Sequence, residues 1–417
     1  MNEASPIRPS ACPGLYRLAP ARDGGICRVK LPMGTLDAGQ ARVVAAVARR
    51  YGNGVIEITS RSNLQLRGVA SGEATALADT LYAAGLGAAT AAADDVRNVM
   101  VSPSYGIDAS ARMDVTALAT SILSRLETRS DFHALSPKFS LLVDGGESTA
   151  PLDHPNDITL TAIDGDRLAL GLAGTLAQPP LGWLPLDSAL LAITTIIERF
   201  LAAANADAGI TRIRHLGAAA PLLAEGLLQP ISLWQRPQAL PSYLGAHGEA
   251  NSDRSWIGAR PPLGRLDPDR LAGLAALAES AGNGTVRFTP FQSLILPGVA
   301  EPNATLRRLE ELGFVTAMSH PLAGMLACSG STGCRSALAD TQRDGLTLAG
   351  FGVGEGLHVS GCEKSCASAR PAPLTLVAVA PGRYDLYRRA EDAGSRFGEK
   401  LASGLTVAAA ARKLAKA

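Results

Sequence analysis

The sequence predicts an α+β protein built by duplication: two ferredoxin-like lobes packed as one domain, with two α/β domains beside them. Three observations predict this. A stretch of 38 residues recurs at an offset of 230 residues. Within each copy, the apolar period switches between that of a helix and that of a strand. Four of the six cysteines fall in two close pairs towards the C-terminal end.

The copies are PMGTLDAGQARVVAAVARRYGNGVIEITSRSNLQLRGV (32–69) and PLGRLDPDRLAGLAALAESAGNGTVRFTPFQSLILPGV (262–299). Fifteen of 38 positions are identical, including Gly-Asn-Gly at 52–54 and 282–284. A period this long excludes a solenoid and means that whole lobes were duplicated. In copy one, Asp37 is placed to cap a helix that stops at Gly52. GVIEITS and LQLRGV then alternate as strands around a short turn. A strand precedes each helix, in GICRVKLPM and SWIGARPPL, and a second helix closes each copy, at 72–86 and 303–314. Strand–helix–strand–strand–helix is a ferredoxin-like unit. The lobes are assigned to 20–90 and 237–318, and the α/β domains to 91–236 and 319–417. Pro-rich stretches at 178–187 and 233–245 are candidate linkers.

Apolar residues make up 47% and charged residues 18% of the 417, a globular balance. Net charge is +1, which gives no global attraction to nucleic acid or an anionic membrane. The first twenty residues hold no apolar run of export-signal length, so a cytoplasmic location is expected. The apolar run 186–209 carries Asp187, Glu198 and Arg199 and is expected as a partly buried helix, not a membrane span.

The paired cysteines read C-x5-C-x27-C-x3-C: Cys328, Cys334, Cys362 and Cys366. A reducing compartment disfavours disulfides. The first pair is spaced widely for a zinc knuckle, whereas a [4Fe–4S] cube tolerates such spacing. The spacing thus favours a cluster, with zinc and incidental thiols as the alternatives. Gly361, before Cys362, would let the backbone approach a cluster closely. Cys12 and Cys27 have no partner at ligand spacing and read as small buried apolar residues. His358 reads as a packed strand histidine.

The duplicated lobes, TSRSNLQLRG (59–68) and the four cysteines resemble the sirohaem-dependent sulfite and nitrite reductase family, from about residue 24 to about residue 380. The stretches VRNVMVSP (96–103), LSPKFSLLVDGG (135–146), RFTPFQSLILPG (287–298) and LHVSGCEKSCASARPAPLTLVAVAPGRYDL (357–386) are most similar to its cobalamin-pathway branch. The resemblance implies the sulfite/nitrite reductase-like architecture and a [4Fe–4S] cluster on the four cysteines. It implies substrate binding by Arg61, Gln65, Arg67, Arg97, Asn98 and Lys138. It also implies hydroxylation and lactonisation of precorrin-3A by O2. Electrons would come from a reduced nicotinamide nucleotide, through a partner reductase. A mononuclear non-haem iron beside the cluster is allowed, with no ligands assignable. Sulfite-reducing members carry a second lysine where this chain has Ser140, and Arg129 is an uncertain match for their second active-site arginine. Fewer cations suit an uncharged co-substrate better than an anion. The alternatives are a short sirohaem-dependent sulfite or nitrite reductase, or a non-catalytic tetrapyrrole or iron–sulfur carrier.

Comparison of the copies sharpens the arginines. Arg61 and Arg67 correspond to Phe291 and Pro297, Gln65 to Ile295 and Asn63 to Ser293. The scaffold therefore does not require arginine at those positions, and arginine forks suit a tetrapyrrole's carboxylates. Arg212 and Arg214 are expected to share one face of a strand. GFGVGEG (350–356) mimics a dinucleotide fingerprint without a strand–helix context.

Overall fold

The computed structural model describes residues 12–232, 234–237, 243–368, 372–390 and 395–416. Residues 1–11 and parts of the stretches 233–245 and 357–386 thus lie outside the described residues. Copy one runs β1 (Ala19–Pro20), β2 (Gly25–Val29), β3 (Thr35–Asp37), α1 (Ala38–Tyr51), β4 (Ile56–Ile58), β5 (Leu64–Val69) and α2 (Ala74–Ala83). The first α/β domain follows as α3 (Ala91–Val96), β6 (Val99–Val101), α4 (Thr116–Thr128), β7 (Leu141–Asp144), β8 (Asn156–Ala162), β9 (Arg167–Gly174), β10 (Gly182–Pro185) and α5 (Ala189–Ala206). Copy two runs β11 (Gly245–Gly248), β12 (Ser255–Ala259), β13 (Arg265–Leu266), α6 (Pro268–Ala281), β14 (Thr285–Phe288), β15 (Leu294–Val299) and α7 (Pro302–Glu311). The second α/β domain is β16 (Leu326–Ala327), α8 (Gly330–Gly333), α9 (Thr341–Gly350), β17 (Leu357–Ser360), β18 (Leu374–Ala380), β19 (Arg383–Arg388), β20 (Glu399–Thr406) and α10 (Val407–Leu414).

Local chemistry is repeated along with the sequence. Asp37 accepts from the Gln40 amide at 2.7 Å, and the Gln40 side chain accepts from the Asp37 amide, a capping box that starts α1. Asp267 caps α6 through the Arg270 amide at 2.8 Å. Unusual backbone recurs at the same offset: Met33 and Leu263 both have φ 52°, and Ser62 and Gln292 have φ 57° and 58°.

The two lobes exchange strands. β3 of copy one adds to the copy-two sheet, pairing Thr35–Asp37 with Thr285–Arg287. In return β13 of copy two pairs Arg265 and Leu266 with Glu57 and Ile56 of copy one. The sheets are therefore β1-β2-β5-β4-β13 and β11-β12-β15-β14-β3. One hydrophobic core takes residues from both copies, including Leu36, Ile56 and Leu64 with Leu266, Leu274 and Phe288.

The α/β domains repeat each other as well. Each has five strands in sequence order, three parallel and then two antiparallel: β6-β7-β8-β9-β10 and β16-β17-β18-β19-β20. The stretch 178–187 supplies strand β10 inside the first of these sheets, not a linker, because Gly182–Pro185 pairs with β9. α5 is long and apolar enough to cross a bilayer, yet it packs Ile193, Ile196, Ile197 and Phe200 into the domain core.

Strand exchange makes the lobes one cooperative unit. Leu36 is fully buried on the exchanged strand β3. Leu36→Ala should lower the stability of the whole lobe pair by ~2–5 kcal/mol in a denaturant titration. A biphasic curve in which only one phase moves would show instead that the lobes unfold independently.

Candidate functional site

Cys328 follows β16, and Cys362 follows β17 by two residues. These strands are parallel neighbours, so both thiols emerge at their carboxyl ends, where ligands gather in α/β sheets. Cys334 follows the single turn of α8, and Cys366 is exposed on the loop after Cys362. The Cys366 thiol is pushed up by burial first, then by the charges of Cys362, Cys328 and Cys334. Gly361 donates its N–H to Cys328 Sγ at 3.2 Å. A Cβ at Gly361 would lie 2.6 Å from Ala337 Cβ and 3.3 Å from that sulfur, which accounts for the glycine. Among the described residues, no three His, Cys, Asp or Glu side chains converge closely enough for one metal ion. Four thiols on neighbouring loops are a donor set that suits a [4Fe–4S] cluster. No ligand set for a mononuclear iron is assembled among the described residues either. Cys27 is fully buried in the lobe core, its thiol held up by burial, and Cys12 lies on the N-terminal segment that Arg17 holds.

Arg67 is not presented to a ligand. Its five donors reach Asp23 twice (2.9 and 3.0 Å), Glu57 (3.1 Å), the Ser329 hydroxyl (3.2 Å) and the Gly333 carbonyl (2.7 Å). That uses the whole guanidinium fork. Arg67 is only 3% exposed, and it clamps the loop between Cys328 and Cys334 onto lobe one. Gly333 must be glycine there, since a Cβ would meet Arg67 Nη2 at 2.5 Å. Arg67, expected at the substrate site, has its donors engaged within the chain in this structure. Its partners, Asp23, Glu57 and the loop, lie far apart in sequence.

Arg97 and Asn98 are also engaged internally. Arg97 pairs with Glu127 (2.5 Å) and Asp94 (3.4 Å), and Asn98 donates to the carbonyls of Asp95 and Pro137. Arg212 and Arg214 do not share a strand face, because 213–224 coils into a 3-10 helix. Asp157 starts that turn by accepting from Arg212 Nε and the Ile213 amide, and Arg214 is left exposed. His358 is fully buried in β17.

A cavity of about 930 Å³ opens where the four parts of the chain meet. Lobe one contributes Ser60 and Arg61, lobe two Pro290 and Phe291, the first α/β domain residues 149–155, and the second Cys366 and Ala367. A smaller cavity of about 280 Å³ shares Ser60, Cys366 and Ala367 with it and reaches Arg28, Gln65, Cys328 and Gln342. The cysteine site therefore opens onto the cleft. Gln65 sits in the smaller cavity, accepting from Arg28 at 2.7 Å and donating to Glu57 at 3.3 Å.

The charged residues lining the cleft are Arg61, Asp153 and Arg236, and Arg236 is paired with Asp144. Arg61 donates to the Lys138 carbonyl at 3.3 Å and makes no ion pair among the described residues. Burial, then the neighbouring Arg212 and Arg28, push the Arg61 guanidinium down to about 10, which still leaves it charged at neutral pH. Lys138 is exposed beside it, and its ammonium has no partner among the described residues. His154 was not singled out from sequence, yet it lines the cleft. Burial and then Arg61 lower it to about 4, so it is neutral at pH 7. Phe291 is the copy-two counterpart of Arg61. It stacks on Tyr243 with centroids 4.8 Å apart, and both rings line the cleft.

Residues 19–84 and 247–311 match the nitrite/sulfite reductase ferredoxin-like half domain, and residues 92–217 match the nitrite and sulphite reductase 4Fe-4S domain. Ferredoxin–nitrite reductase of Synechococcus elongatus is 28% identical over 84% of this chain and 76% of its own length. Precorrin-3B synthase of a Sinorhizobium species is 30% identical over 91% of this chain and 83% of its own length. Chloroplastic ferredoxin–nitrite reductase of Oryza sativa subsp. japonica is 27% identical over 83% of this chain, which spans 65% of that protein. The Mycobacterium tuberculosis NirA protein has the same fold, with a TM-score of 0.70 at 21% identity over 92% of this chain and 78% of that one.

If Arg67 clamps the cysteine loop, Arg67→Ala leaves the half-buried Asp23 without its ion pair and takes one of two arginines from Glu57. Stability should fall by ~3–5 kcal/mol, and anaerobically purified protein should contain less iron and sulfide. Cys334→Ser should lose iron without that loss of stability in the iron-free protein. An Arg67→Ala protein with wild-type melting and iron content would refute the clamp.

Proposed function

This chain belongs to the nitrite and sulfite reductase family, and we propose that it is an iron–sulfur oxidoreductase acting on a polycarboxylate tetrapyrrole, with the reaction of a precorrin-3B synthase. One observation carries the reading: Arg61 is desolvated, crowded by other cations and without an ion pair among the described residues, on the wall of a cleft of about 930 Å³. A half-buried cation without an ion pair suits an anionic ligand. Three residues expected beside it, Arg67, Arg97 and Asn98, are held by other parts of the chain. Ser140 is fully buried, and its amide is bound by Asp157. A small anion such as sulfite or nitrite would thus meet fewer cations here than its charge requires. A large ring with carboxylates at its rim can reach Arg61 and Lys138 while its body fills the cleft.

The reaction proposed is the addition of one oxygen atom of O2 to precorrin-3A as a hydroxyl at C20, with a ring-A acetate closing a γ-lactone. The other oxygen atom leaves as water, using two protons and the two electrons of a reduced nicotinamide nucleotide. Cys328, Cys334, Cys362 and Cys366 would hold a cluster, and when bound it would supply one-electron redox chemistry beside the cleft. Arg61 and Lys138 fix the carboxylates, and so the orientation of the ring. His154, neutral beside Arg61, offers a hydrogen-bonding nitrogen without adding repulsion. A partner reductase is proposed as the immediate electron source, and a cytoplasmic setting suits such a chain of carriers.

Two measurements test this. Reduced protein supplied with precorrin-3A and O2 should yield a product one oxygen heavier. Purified protein carrying sirohaem bands and reducing nitrite would establish the reductase reading instead. A charge-assisted contact contributes ~1.5–3 kcal/mol, roughly one to two decades in affinity. Arg61→Ala should therefore weaken precorrin-3A binding at least tenfold and leave melting temperature and cluster spectrum unchanged. Wild-type affinity in that variant would make Arg61 a bystander.

A further inference from the structure

Duplication has placed the same turn twice around one cleft. In copy one the turn is Thr59–Asn63, closed by the Thr59 amide on the Asn63 carbonyl at 2.9 Å. In copy two it is Thr289–Ser293, closed by the Thr289 amide on the Ser293 carbonyl, also at 2.9 Å. The third residue of each turn donates its amide to the threonine hydroxyl: Arg61 at 3.3 Å and Phe291 at 3.1 Å. The fourth residue of each has the same left-handed backbone, Ser62 at φ 57° and Gln292 at φ 58°. Arg61 and Phe291 are therefore the same position of the same structure, and both line the cavity of about 930 Å³.

The identity of the third residue does not follow from the turn, since one copy has arginine and the other phenylalanine. Phe291 is half-buried, with Tyr243 stacked against it at 4.8 Å and 20° between planes. One face of the Phe291 ring is covered, and the residue still borders the cleft. The Tyr243 backbone passes directly over Gly258, where a Cβ would lie 1.6 Å from the Tyr243 carbonyl oxygen. The aromatic pair is thus set on a close-packed base, the condition for a flat surface that does not yield to a ligand.

We propose that Phe291, backed by Tyr243, is the surface on which the face of the tetrapyrrole stacks. The two copies of one turn then divide recognition: Arg61 holds the carboxylates and Phe291 holds the ring plane. This rests on the tetrapyrrole reading of the cleft and adds to it the residue that selects a macrocycle over any other polycarboxylate. Offset stacking suits a large conjugated ring, and it is insensitive to which carboxylates the ring carries. Arg61 alone would bind any polyanion.

Uroporphyrin, a planar octacarboxylate, serves as the ring probe, and butanetetracarboxylate as the charged probe without a ring. Both are titrated into cluster-loaded protein, the first by its fluorescence and Soret shift, the second by competition. Phe291→Leu should weaken uroporphyrin binding about tenfold, remove the Soret shift and leave butanetetracarboxylate binding unchanged. Arg61→Ala should weaken both. Phe291→Trp, which keeps a ring, should bind uroporphyrin like wild type, and it decides the matter if the leucine variant misfolds. Undiminished uroporphyrin binding by Phe291→Leu would overturn the proposal. So would equal weakening for both probes, or a loss of affinity in Phe291→Trp. Failure of wild-type protein to bind uroporphyrin at all would instead sink the tetrapyrrole reading on which the proposal stands.

Discussion

Glu57 sits mid-strand in β4 with partners from three parts of the chain. Arg67 reaches it from the same lobe, Arg265 from the other lobe at 2.7 Å, and the Ser329 hydroxyl from the cysteine loop at 2.9 Å. Burial would raise its carboxyl, but Arg265 and Arg67 outweigh that and hold it below the ordinary range. The charge therefore stays, and each partner must stay with it. A buried ion pair need not add stability over an apolar replacement. What it does here is fix register: a shift of either lobe or of the loop strands a charge. The cysteines keep their place beside the cleft because Glu57 and Arg67 hold the loop that carries them.

The pseudo-equivalent of Glu57 is Arg287, a charge of opposite sign doing related work. Arg287 donates to the carbonyls of Tyr105 (2.6 Å) and Pro103 and lies over the Tyr105 ring. Tyr105 is in the loop after β6, as Ser329 is in the loop after β16. Each lobe is thus tied to the loop after the first strand of one α/β domain. The outcomes differ. Where the second domain carries Cys328 and Cys362 after its first two strands, the first carries Ser102 and Asp144. Ser102 donates to Asp144 at 2.7 Å, and Arg236 grips Asp144 through two nitrogens. Glu147 beside them is raised to about 9 by burial and then by Asp144, so it stays protonated at neutral pH. A closed polar plug occupies the place where the other half opens a cysteine site. One scaffold, used twice, yields one redox end.

Much of this was legible in the sequence, and the boundary is physical. Duplication showed in shared residues because caps, turns and core positions are local demands. Asp37 and Asp267 were readable as caps for that reason. The exchange of β3 and β13 was not, since pairing across some 230 residues leaves no local mark. The four cysteines were legible from spacing, and the structure sets Cys328 and Cys362 after neighbouring parallel strands. The strand expected at 212–214 failed because Asp157, 55 residues away, captures Arg212 and turns the chain. Phe291 was in view as the counterpart of Arg61. Its place on the cleft wall beside Tyr243 was not, since Tyr243 reaches it from 48 residues away in the chain.

Arg61, Arg67, Arg97 and Arg212 show what sequence cannot separate. All four are arginines on strands or loops that a family pattern or alternation makes suspect. Their burial does not divide them by role either, since Arg67, Arg97 and Arg212 are more deeply buried than Arg61. Pairing does. Arg67 faces Asp23 and Glu57, Arg97 faces Asp94 and Glu127, and Arg212 faces Asp157. Arg61 faces a backbone carbonyl and an open cleft, and its neighbours Arg28 and Arg212 add repulsion. A folded chain gains nothing by holding a cation in that state, because desolvation and like charge both oppose it. The instability is local, and an incoming carboxylate relieves it. In that sense the cleft is prepared for an anion: Arg61, on its wall, makes no ion pair among the described residues.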